Sequence, residues 1–302
     1  MKSHMHSNRW YVVAGFASRV ALNLVLLAVS LACLIPFLVV VSASLSTEEA
    51  LGQYGYTLWP QQFSTLAYQY IFLDAERIGR AYGVSLLVTL VGSGLGMLIM
   101  SLLAYALSRK QFLLRQAIAF YLFFTMLFSG GLVPSYVLIT QYLHLQNTLW
   151  VLILPGLVSP WSVLILRTFF RDLPEELLDA AKIDGADEWR VFFQIALPLN
   201  TPGLATIGLF TMLAYWNDWF TPLLYIDNRN LYPIQYLLYT ILRNTEFLQL
   251  AAQQSGASIF LNPPVLPARM AMAVLAIGPI AFAYLFLQRY FIRGIRLGAV
   301  KG

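Results

Sequence analysis

The sequence predicts an all-α membrane protein with six transmembrane helices, and both its composition and its apolar runs indicate this class. Of the 302 residues, 59% are hydrophobic and 11% are charged, whereas soluble domains carry about 25% charged residues. Six apolar runs are each long enough for a transmembrane helix, which needs about 20 residues. The single cysteine, Cys33, lies inside one of these runs, so neither a disulfide framework nor a cysteine-based metal site is expected.

The first two spans are expected at residues 20–41 and 81–107, after an N-terminal segment at 1–19. The first run is too long for the apolar core of a cleaved signal sequence, so it is expected to be retained. The second contains the run Gly92-Ser93-Gly94-Leu95-Gly96. Within an apolar helix such small residues allow neighbouring helices to approach closely. We therefore favour a packing role for this run over a nucleotide-binding loop.

The third and fourth spans are expected to be broken helices. The third begins near residue 116 and the fourth covers about 149–169. The residues expected to interrupt them are Ser129, Gly130, Gly131, Pro134, Pro155 and Pro160. Backbone that leaves the helix at membrane depth is tolerated only where protein or a water-filled cavity meets the freed polar groups. At these breaks we therefore expect either packed protein or a water-filled cavity.

Residues 172–198 form the most acidic segment of the chain, with seven of its fourteen acidic residues. Asp172 and Pro174 are typical of a helix start, and acids in the first turn are favoured by the helix dipole. Gly185 is expected to break the helix, because glycine accepts the left-handed conformation that often ends one. A second short helix is then expected before Pro198. The pattern predicts two helices joined by a glycine bend, a docking element at the membrane surface.

This segment resembles the cytoplasmic loop of the permease subunits of bacterial ABC importers. That loop reads Glu-Ala-Ala, three residues, Gly, nine residues, Ile, one residue, Leu-Pro, and every spacing fits here. The matching residues are Asp179, Ala180, Ala181, Gly185, Ile195, Leu197 and Pro198. One departure is Asp179, where the family usually has glutamate. The resemblance implies a coupling helix seated in a groove of an ATPase subunit, and the residues expected to carry this contact are Glu175, Glu176, Asp179, Ala180, Ala181, Asp184, Gly185, Ala186 and Glu188.

The resemblance extends over almost the whole chain to the carbohydrate-importer permeases of the maltose type, which implies the type I ABC importer permease fold. The ending Val300-Lys301-Gly302 is similar to the tail of the smaller maltose permease subunit, which reaches the ATPase pair. The implied partners are a second homologous permease, two ATPases that hold ATP and magnesium, and a periplasmic binding protein. The hairpin context and the tyrosine-rich outer loop look most like permeases for acidic oligosaccharides, namely the alginate-oligosaccharide importer and its aldouronate relatives.

The fifth span, expected at 199–226, contains a formal charge in the sequence Tyr215-Trp216-Asn217-Asp218-Trp219. Counting from Pro198 at 1.5 Å per residue, Asp218 lies about 30 Å along the helix, near the outer interface. One interpretation is an aromatic belt with a solvated polar step. The other is a cavity mouth where aromatic faces stack on sugar rings and polar groups bind hydroxyls. Both remain open, although similar Trp-Asn-Asp steps occur in sugar permeases of the family.

The distribution of basic residues predicts the orientation. With the N-terminus inside, cytoplasmic segments hold fourteen of the nineteen lysines and arginines, and outer segments hold five. The positive-inside rule therefore places both termini, including the tail at 292–302, in the cytoplasm. The loop at 227–267, which precedes a sixth span at 268–291, then faces outward and is implied to contact the binding protein. The expected location is the bacterial inner membrane, where the chain contacts lipid.

The sequence offers no catalytic arrangement and no metal-ligand spacing. It also lacks a GxxxxGK[ST] phosphate-binding loop, so we expect no cofactor in this chain and ATP hydrolysis on separate subunits. The net charge of +5 is explained by cytoplasmic basic loops, and nucleic-acid binding is not expected. The alternative class is an ion- or proton-coupled secondary transporter. Such transporters usually bury ionisable groups at mid-membrane and show inverted repeats, neither of which is apparent here.

Overall fold

The computed structural model describes residues 7–243 and 264–280, with side chains from residue 20 onward. The described residues are helical and contain no β-strand, only a single bridge between Ser46 and Phe63. The chain divides into two compact units, residues 1–73 with 249–275 and residues 74–248 with 276–302. The all-α prediction is confirmed.

The first unit contains the long helix α1 (Ser7–Ser44) and the short helices α2 (Glu48–Tyr54) and α3 (Leu66–Ile71). Side chains from residue 20 to residue 37 are all exposed, and residues Val20–Ser44 are apolar enough to span a membrane. A helix that is apolar all round is stable in lipid, because its backbone groups are satisfied internally. The first span therefore agrees with its prediction.

The second unit is built around α4 (Ala75–Ser108), which packs against α8 (Pro160–Arg171) and α12 (Thr201–Trp216). The small residues of α4 explain the close approach. A Cβ atom added to Gly92 would lie 2.6 Å from the Tyr215 ring, and one added to Gly96 would lie 2.9 Å from the Leu157 carbonyl oxygen. The glycine run is therefore a packing surface, as predicted, and not a nucleotide loop.

The remaining helices of this unit follow in chain order. They are α5 (Arg115–Leu127), α6 (Leu132–Val137), α7 (Leu149–Ile153), α9 (Glu175–Ile183), α10 (Glu188–Val191), α11 (Leu197–Leu199), α13 (Phe220–Tyr225) and α14 (234–243). Two π-helical turns, Leu138–Tyr142 and Phe192–Ala196, continue α6 and α10. The 3-10 turns are Phe72–Asp74, Leu154–Gly156 and Arg229–Leu231.

Two of the three bends occur where the sequence predicts them, in the third and fourth spans, and the third bend was not predicted. The third span bends by 112° between Arg115–Leu127 and Leu132–Tyr142, and the fourth bends by 50° between Leu149–Gly156 and Pro160–Arg171. A further bend of 82° separates Glu188–Leu199 from Thr201–Trp216. Each bend lies beside a proline or a glycine, which interrupts the helical hydrogen-bond ladder.

Up to five spans can be counted in the described part of the chain when each bent pair is taken as one span. The predicted sixth begins as the apolar helix α15 (Val265–Ile280). Its expected continuation to residue 291 lies outside the described residues. Within the first unit, the Glu48 carboxylate caps this helix, since it accepts a hydrogen bond of 2.9 Å from the Leu266 backbone N–H. Burial raises the pKa of Glu48, partly offset by backbone hydrogen bonds and by Arg269.

Candidate functional site

The acidic segment folds as the predicted helical hairpin. Its first helix, α9, ends in a Schellman motif, in which the Gly185 N–H donates to the Lys182 carbonyl at 3.0 Å and the Ala186 N–H to the Ala181 carbonyl at 2.9 Å. Gly185 has a φ of +81°, so the predicted glycine bend is confirmed. Asp187 then caps α10 through a hydrogen bond of 2.9 Å from the Arg190 N–H.

The start of the hairpin differs from the prediction. Asp172 does not begin a helix but follows the end of α8, where its N–H donates to the Thr168 carbonyl. Pro174 precedes the first residue of α9 and has extended backbone geometry. The prediction for Asp172 was wrong because an aspartate close to a proline can either begin a helix or follow the end of one. The backbone geometry of the turn decides between these two positions.

The hairpin is anchored to the end of α4 by apolar packing. Leu178 is 2% exposed and belongs to a core cluster with Val191, Phe192 and residues of α4 and α8. Ala181 and Ala186 pack against the same cluster. Ala181 therefore faces the chain's own core, whereas the exposed Ala180 keeps the small surface that was expected of both alanines.

Two acids of the hairpin are also bonded within the chain. Glu175 forms an ion pair of 2.7 Å with Lys110, which follows α4. The Glu188 carboxylate accepts from the Tyr105 hydroxyl at 2.9 Å and pairs with Lys182 at 2.5 Å. The Lys110 ammonium lowers the pKa of Glu175 by hydrogen bonding and by its charge. Glu188 thus joins the hairpin to α4 and Glu175 joins it to the turn that follows α4, contacts that the sequence motif did not indicate.

The outer face of the hairpin combines exposed apolar and acidic side chains. Ile183 is 86% exposed and Leu177 is 48% exposed. The exposed acids of this face are Glu176, Asp179 and Asp184, and none of them forms an ion pair with a described residue. We call these five residues, with Ala180 and Gly185, the docking face. Exposed apolar side chains rimmed by charge are typical of a protein interaction site.

The residues of the fifth span are divided between core and cavity. Trp216 is 2% exposed, and its indole N–H donates to the Ala276 carbonyl at 3.0 Å. Tyr215 is also buried, and its hydroxyl donates to the Ile153 carbonyl at 2.8 Å. Asn217 and Trp219 are exposed, and Trp219 lies 4.8 Å from the Tyr239 ring. The structure therefore places Trp216 in the core and not on a surface where a sugar could stack.

A cavity of about 490 Å³ lies beside these residues, between α4, α8 and α12. Its polar lining comprises Ser159, Ser162, Thr211, Asp218 and Thr221, and its aromatic lining comprises Trp161, Phe210 and Tyr215. The sequence pointed to Asp218 and Tyr215 but missed the wall contributed by α8. The Ser159-Pro160 pair, a typical helix start, was the signal that α8 begins at this cavity.

Asp218 has a structural task as well as a place in this cavity. Its Oδ1 atom accepts hydrogen bonds from the backbone N–H groups of Phe220 and Thr221 at 3.1 and 3.0 Å. It thereby caps α13, which restarts the helix after the break at 217–219. Hydroxyls, a carboxylate and aromatic faces together can bind a polyhydroxylated ligand.

The start of the predicted outer loop is held by a side-chain clasp. The Asn147 Oδ1 atom accepts from the backbone N–H groups of Asp227 and Asn228 at 2.6 and 3.0 Å. The side-chain amides of Gln146 and Asn147 both donate to the Asp227 carboxylate at 3.3 Å. The rest of that loop, residues 244–263, and the predicted tail contacts Val300, Lys301 and Gly302 lie outside the described residues.

Broken apolar spans beside a partly polar cavity, with an exposed helical hairpin between two of them, are typical of a membrane permease. Residues 79–297 match the family described as the binding-protein-dependent transport system inner membrane component. The chain belongs to this family, whose members are the transport permeases of ABC importers and act with a binding protein and ATPase subunits.

The chain is similar to named permeases along nearly all its length. It is 39% identical over 277 residues to the polygalacturonan/rhamnogalacturonan transport system permease protein YtcP of Bacillus subtilis, covering 92% of this chain and 96% of that protein. It is 30% identical to the arabinooligosaccharides transport system permease protein AraQ of Halalkalibacterium halodurans, with 97% and 96% covered.

A solved structure has the same fold. It is a chain of a bacterial ABC transporter involved in the import of the acidic polysaccharide alginate, with a TM-score of 0.76 and 23% sequence identity. The match covers 96% of this chain and 100% of the other. The predicted type I ABC importer permease fold is thereby confirmed.

Proposed function

We propose that this chain is one of two permease subunits in an ATP-driven importer of oligosaccharides, with acidic ones, such as fragments of alginate or polygalacturonan, as cargo. The observation that carries the proposal is the docking face, an exposed apolar and acidic surface on a hairpin that is rigidly attached to the cavity-lining helices. A separate ATPase pair would hold ATP and magnesium. No catalytic step is assigned to this chain itself.

The docking face suits a groove with an apolar pocket and basic rims. Burying Ile183, now 86% exposed, would stabilise such a complex by about 1.5–3 kcal/mol. The carboxylates of Glu176, Asp179 and Asp184 would then meet the basic rims, which favours the correct partner and orientation. This assigns the ATPase contact to these residues, while Glu175 and Glu188 transmit the motion to α4.

The hairpin can transmit force because it does not bend independently of α4. Leu178 is packed in the core and the hydrogen bond of Glu188 joins the hairpin to α4, while the ion pair of Glu175 joins it to the turn that follows this helix. Since α4 packs on α8 and α12 around the cavity, a displaced hairpin would displace cavity walls. We infer a switch between discrete inward- and outward-open packings, as packed interfaces allow.

The remaining partners follow from the orientation. With fourteen basic residues inside against five outside, the hairpin faces the cytoplasm and both termini lie there, with the chain in the bacterial inner membrane. The loop at 227–267 then meets a substrate-loaded binding protein, and the clasp around Asn147 holds its first residues in place. A second, homologous permease would complete the pathway, as in the importers that this chain resembles.

The proposed cargo rests on the similarity to named permeases, and the lining of the cavity indicates which groups of the sugar this chain contacts. One relative is named for the transport of polygalacturonan and rhamnogalacturonan, and the similar structure belongs to a transporter involved in alginate import. All of these polymers contain uronic acids. Yet the described lining contains Asp218 and no lysine or arginine. We infer that hydroxyl groups and ring faces meet this wall, and that the second permease supplies the cations for the sugar carboxylates.

The proposal is tested with the purified assembly of both permeases and the ATPases in nanodiscs. Acidic oligosaccharides with the binding protein should stimulate ATP hydrolysis more than neutral ones of equal length. Vesicles supplied with ATP and no ion gradient should accumulate the same cargo. Uptake that follows an ion gradient and ignores ATP would establish the secondary transporter instead.

A further inference from the structure

A second open cavity, of about 520 Å³, lies where the hairpin meets the end of α4. One wall is a stripe of α4 formed by Leu102, Tyr105 and Ala106, continued by Arg109 just beyond the helix end. The other wall is formed by Trp189 and Phe192 of the hairpin. We call this cavity the Arg109 groove.

The Arg109 groove has the dimensions and position of a membrane-interface site. From Leu102 to Arg109 it follows two turns of α4, about 10 Å at 1.5 Å per residue. It therefore runs from the end of a predicted span toward the membrane interior. Trp189 is 62% exposed and stacks on Phe193, itself 47% exposed, at 6.2 Å. Exposed aromatic pairs of this kind are enriched at the level of lipid headgroups.

The positive charge in the groove is Arg109, a partly buried residue whose guanidinium has N–H groups without hydrogen-bond acceptors. The Arg109 guanidinium lies over the Tyr105 ring at 4.5 Å. Its Nε and Nη2 atoms are buried and have no hydrogen-bond acceptor among the described residues. Buried donors without an acceptor are costly, on the order of 1–3 kcal/mol each, so an acceptor from outside the chain is favoured.

The Glu188 carboxylate attracts this arginine through its charge but forms no ion pair with it. Both oxygens of Glu188 are already engaged, one by Lys182 at 2.5 Å and the other by the Tyr105 hydroxyl at 2.9 Å. The remaining polar wall is Gln111, a neutral amide. A guanidinium that forms no ion pair with a described residue and lies between apolar walls fits a ligand with an anionic oxygen head and an apolar chain.

We propose that the Arg109 groove binds an anionic phospholipid, with the phosphate on the Arg109 guanidinium and an acyl chain along Leu102, Ala106 and Phe112. A lipid wedged between α4 and the hairpin would stiffen the joint that carries motion from the docking face to the cavity. Transport would then depend on the anionic lipid content of the membrane. This proposal does not rest on which sugar is carried.

The test uses the whole transporter assembly in nanodiscs with brominated lipid, which quenches nearby tryptophan fluorescence. Subtracting the signal of a Trp189→Phe assembly isolates the quenching of Trp189. Brominated phosphatidylglycerol should quench Trp189 more than brominated phosphatidylcholine at equal bromine content. The variant Arg109→Gln should lower the apparent affinity for phosphatidylglycerol about fivefold, the usual contribution of one basic residue near a membrane surface.

The matched control is Arg190→Gln, which removes an exposed arginine from the same hairpin but not from the groove. It should leave the quenching unchanged. If Arg109→Gln does not assemble, two other variants replace it: Ala106→Phe, which fills the groove, and Arg109→Lys, which keeps the charge. Ala106→Phe should lose the lipid, and Arg109→Lys should retain it. The proposal would be overturned by equal quenching of Trp189 by both lipids or by an unchanged affinity for phosphatidylglycerol in Arg109→Gln. It would also be overturned if inorganic phosphate abolished the quenching.

Discussion

At the residue scale, the docking face presents one exposed apolar side chain that the proposed ATPase partner would cover. Ile183 is 86% exposed at the last position of α9, while Leu178 of the same helix is buried against the chain's own core. The hairpin thus has two apolar faces, one for this chain and one without a described contact. The two residues have different tasks although the sequence pattern treats them alike.

The variant Ile183→Asp is expected to release the ATPase subunits without unfolding the permease. Loss of a buried isoleucine costs about 1.5–3 kcal/mol, which corresponds to at least about a tenfold weaker complex. The measurement is the amount of ATPase that copurifies with the permease. Leu113→Asp is the control, because Leu113 is 95% exposed in the neighbouring turn and lies outside the hairpin. Equal losses in both variants would remove Ile183 from the contact.

A second residue, Asp218, is predicted to affect which cargo passes fastest. The variant Asp218→Asn keeps the oxygen that caps α13 and removes the negative charge from the cavity wall. Removing one like charge, worth about 1 kcal/mol at a few ångströms in a wet cavity, should raise the uptake ratio of acidic to neutral oligosaccharide about fivefold. The uptake ratio in vesicles provides the measurement. Glu49→Gln, at an exposed position outside the cavity lining, should leave it unchanged, and an unaltered Asp218→Asn ratio would place the cargo elsewhere.

At the element scale, the hairpin depends on its bend. Gly185 has a φ of +81°, and a Cβ atom added there would meet no atom within 4 Å. A side chain at this position is therefore opposed by backbone geometry and not by crowding, at about 1–2 kcal/mol. The bend fixes the angle between α9 and α10, and hence the position of the docking face relative to α4.

Gly185→Val should accordingly uncouple ATP hydrolysis from uptake while membrane insertion stays normal. The expected result is basal ATP hydrolysis that cargo and binding protein no longer stimulate. The reason is that a changed angle between α9 and α10 misplaces the docking face relative to the ATPase. Gly79→Val is the control, since Gly79 has open space around it and no positive φ. Normal stimulation in Gly185→Val would mean that the bend is dispensable.

The sequence predictions agree with the structure for features that depend on local backbone chemistry. They differ from it for features that depend on contacts between distant residues. The bend at Gly185, the close packing at Gly92 and Gly96, and the broken spans were all predictable, because each follows from backbone geometry or from the absence of a side chain. The burial of Trp216 could not be predicted, since it depends on Ala276, sixty residues away. The same is true of the Glu175 ion pair, whose partner lies in a distant turn of the chain.

At the scale of the whole molecule, the orientation determines what each surface can meet. Under the proposed function, the docking face must lie in the cytoplasm, where ATP is available, and the clasp around Asn147 must lie outside, where a binding protein arrives. The predicted topology meets both requirements, because a single predicted span, the fifth, separates the hairpin from the segment that begins at Asp227. The positive-inside count gives this topology independently.

Single-cysteine labelling can test this orientation. In a background where Cys33 is replaced by alanine, no other cysteine remains in the chain. A membrane-impermeant maleimide should label Arg229→Cys in spheroplasts, because Arg229 is exposed at the start of the outer loop. Leu113→Cys, at 95% exposure, should react only after the membrane is permeabilised.

The order of labelling distinguishes the predicted orientation from its inverse, because the two positions lie on opposite sides of the bilayer in either one. The turn that contains Leu113 shares its side with the hairpin, since Lys110 in that turn pairs with Glu175. Labelling of Leu113→Cys in intact spheroplasts would therefore place the docking face outside the cell, where no ATPase could reach it.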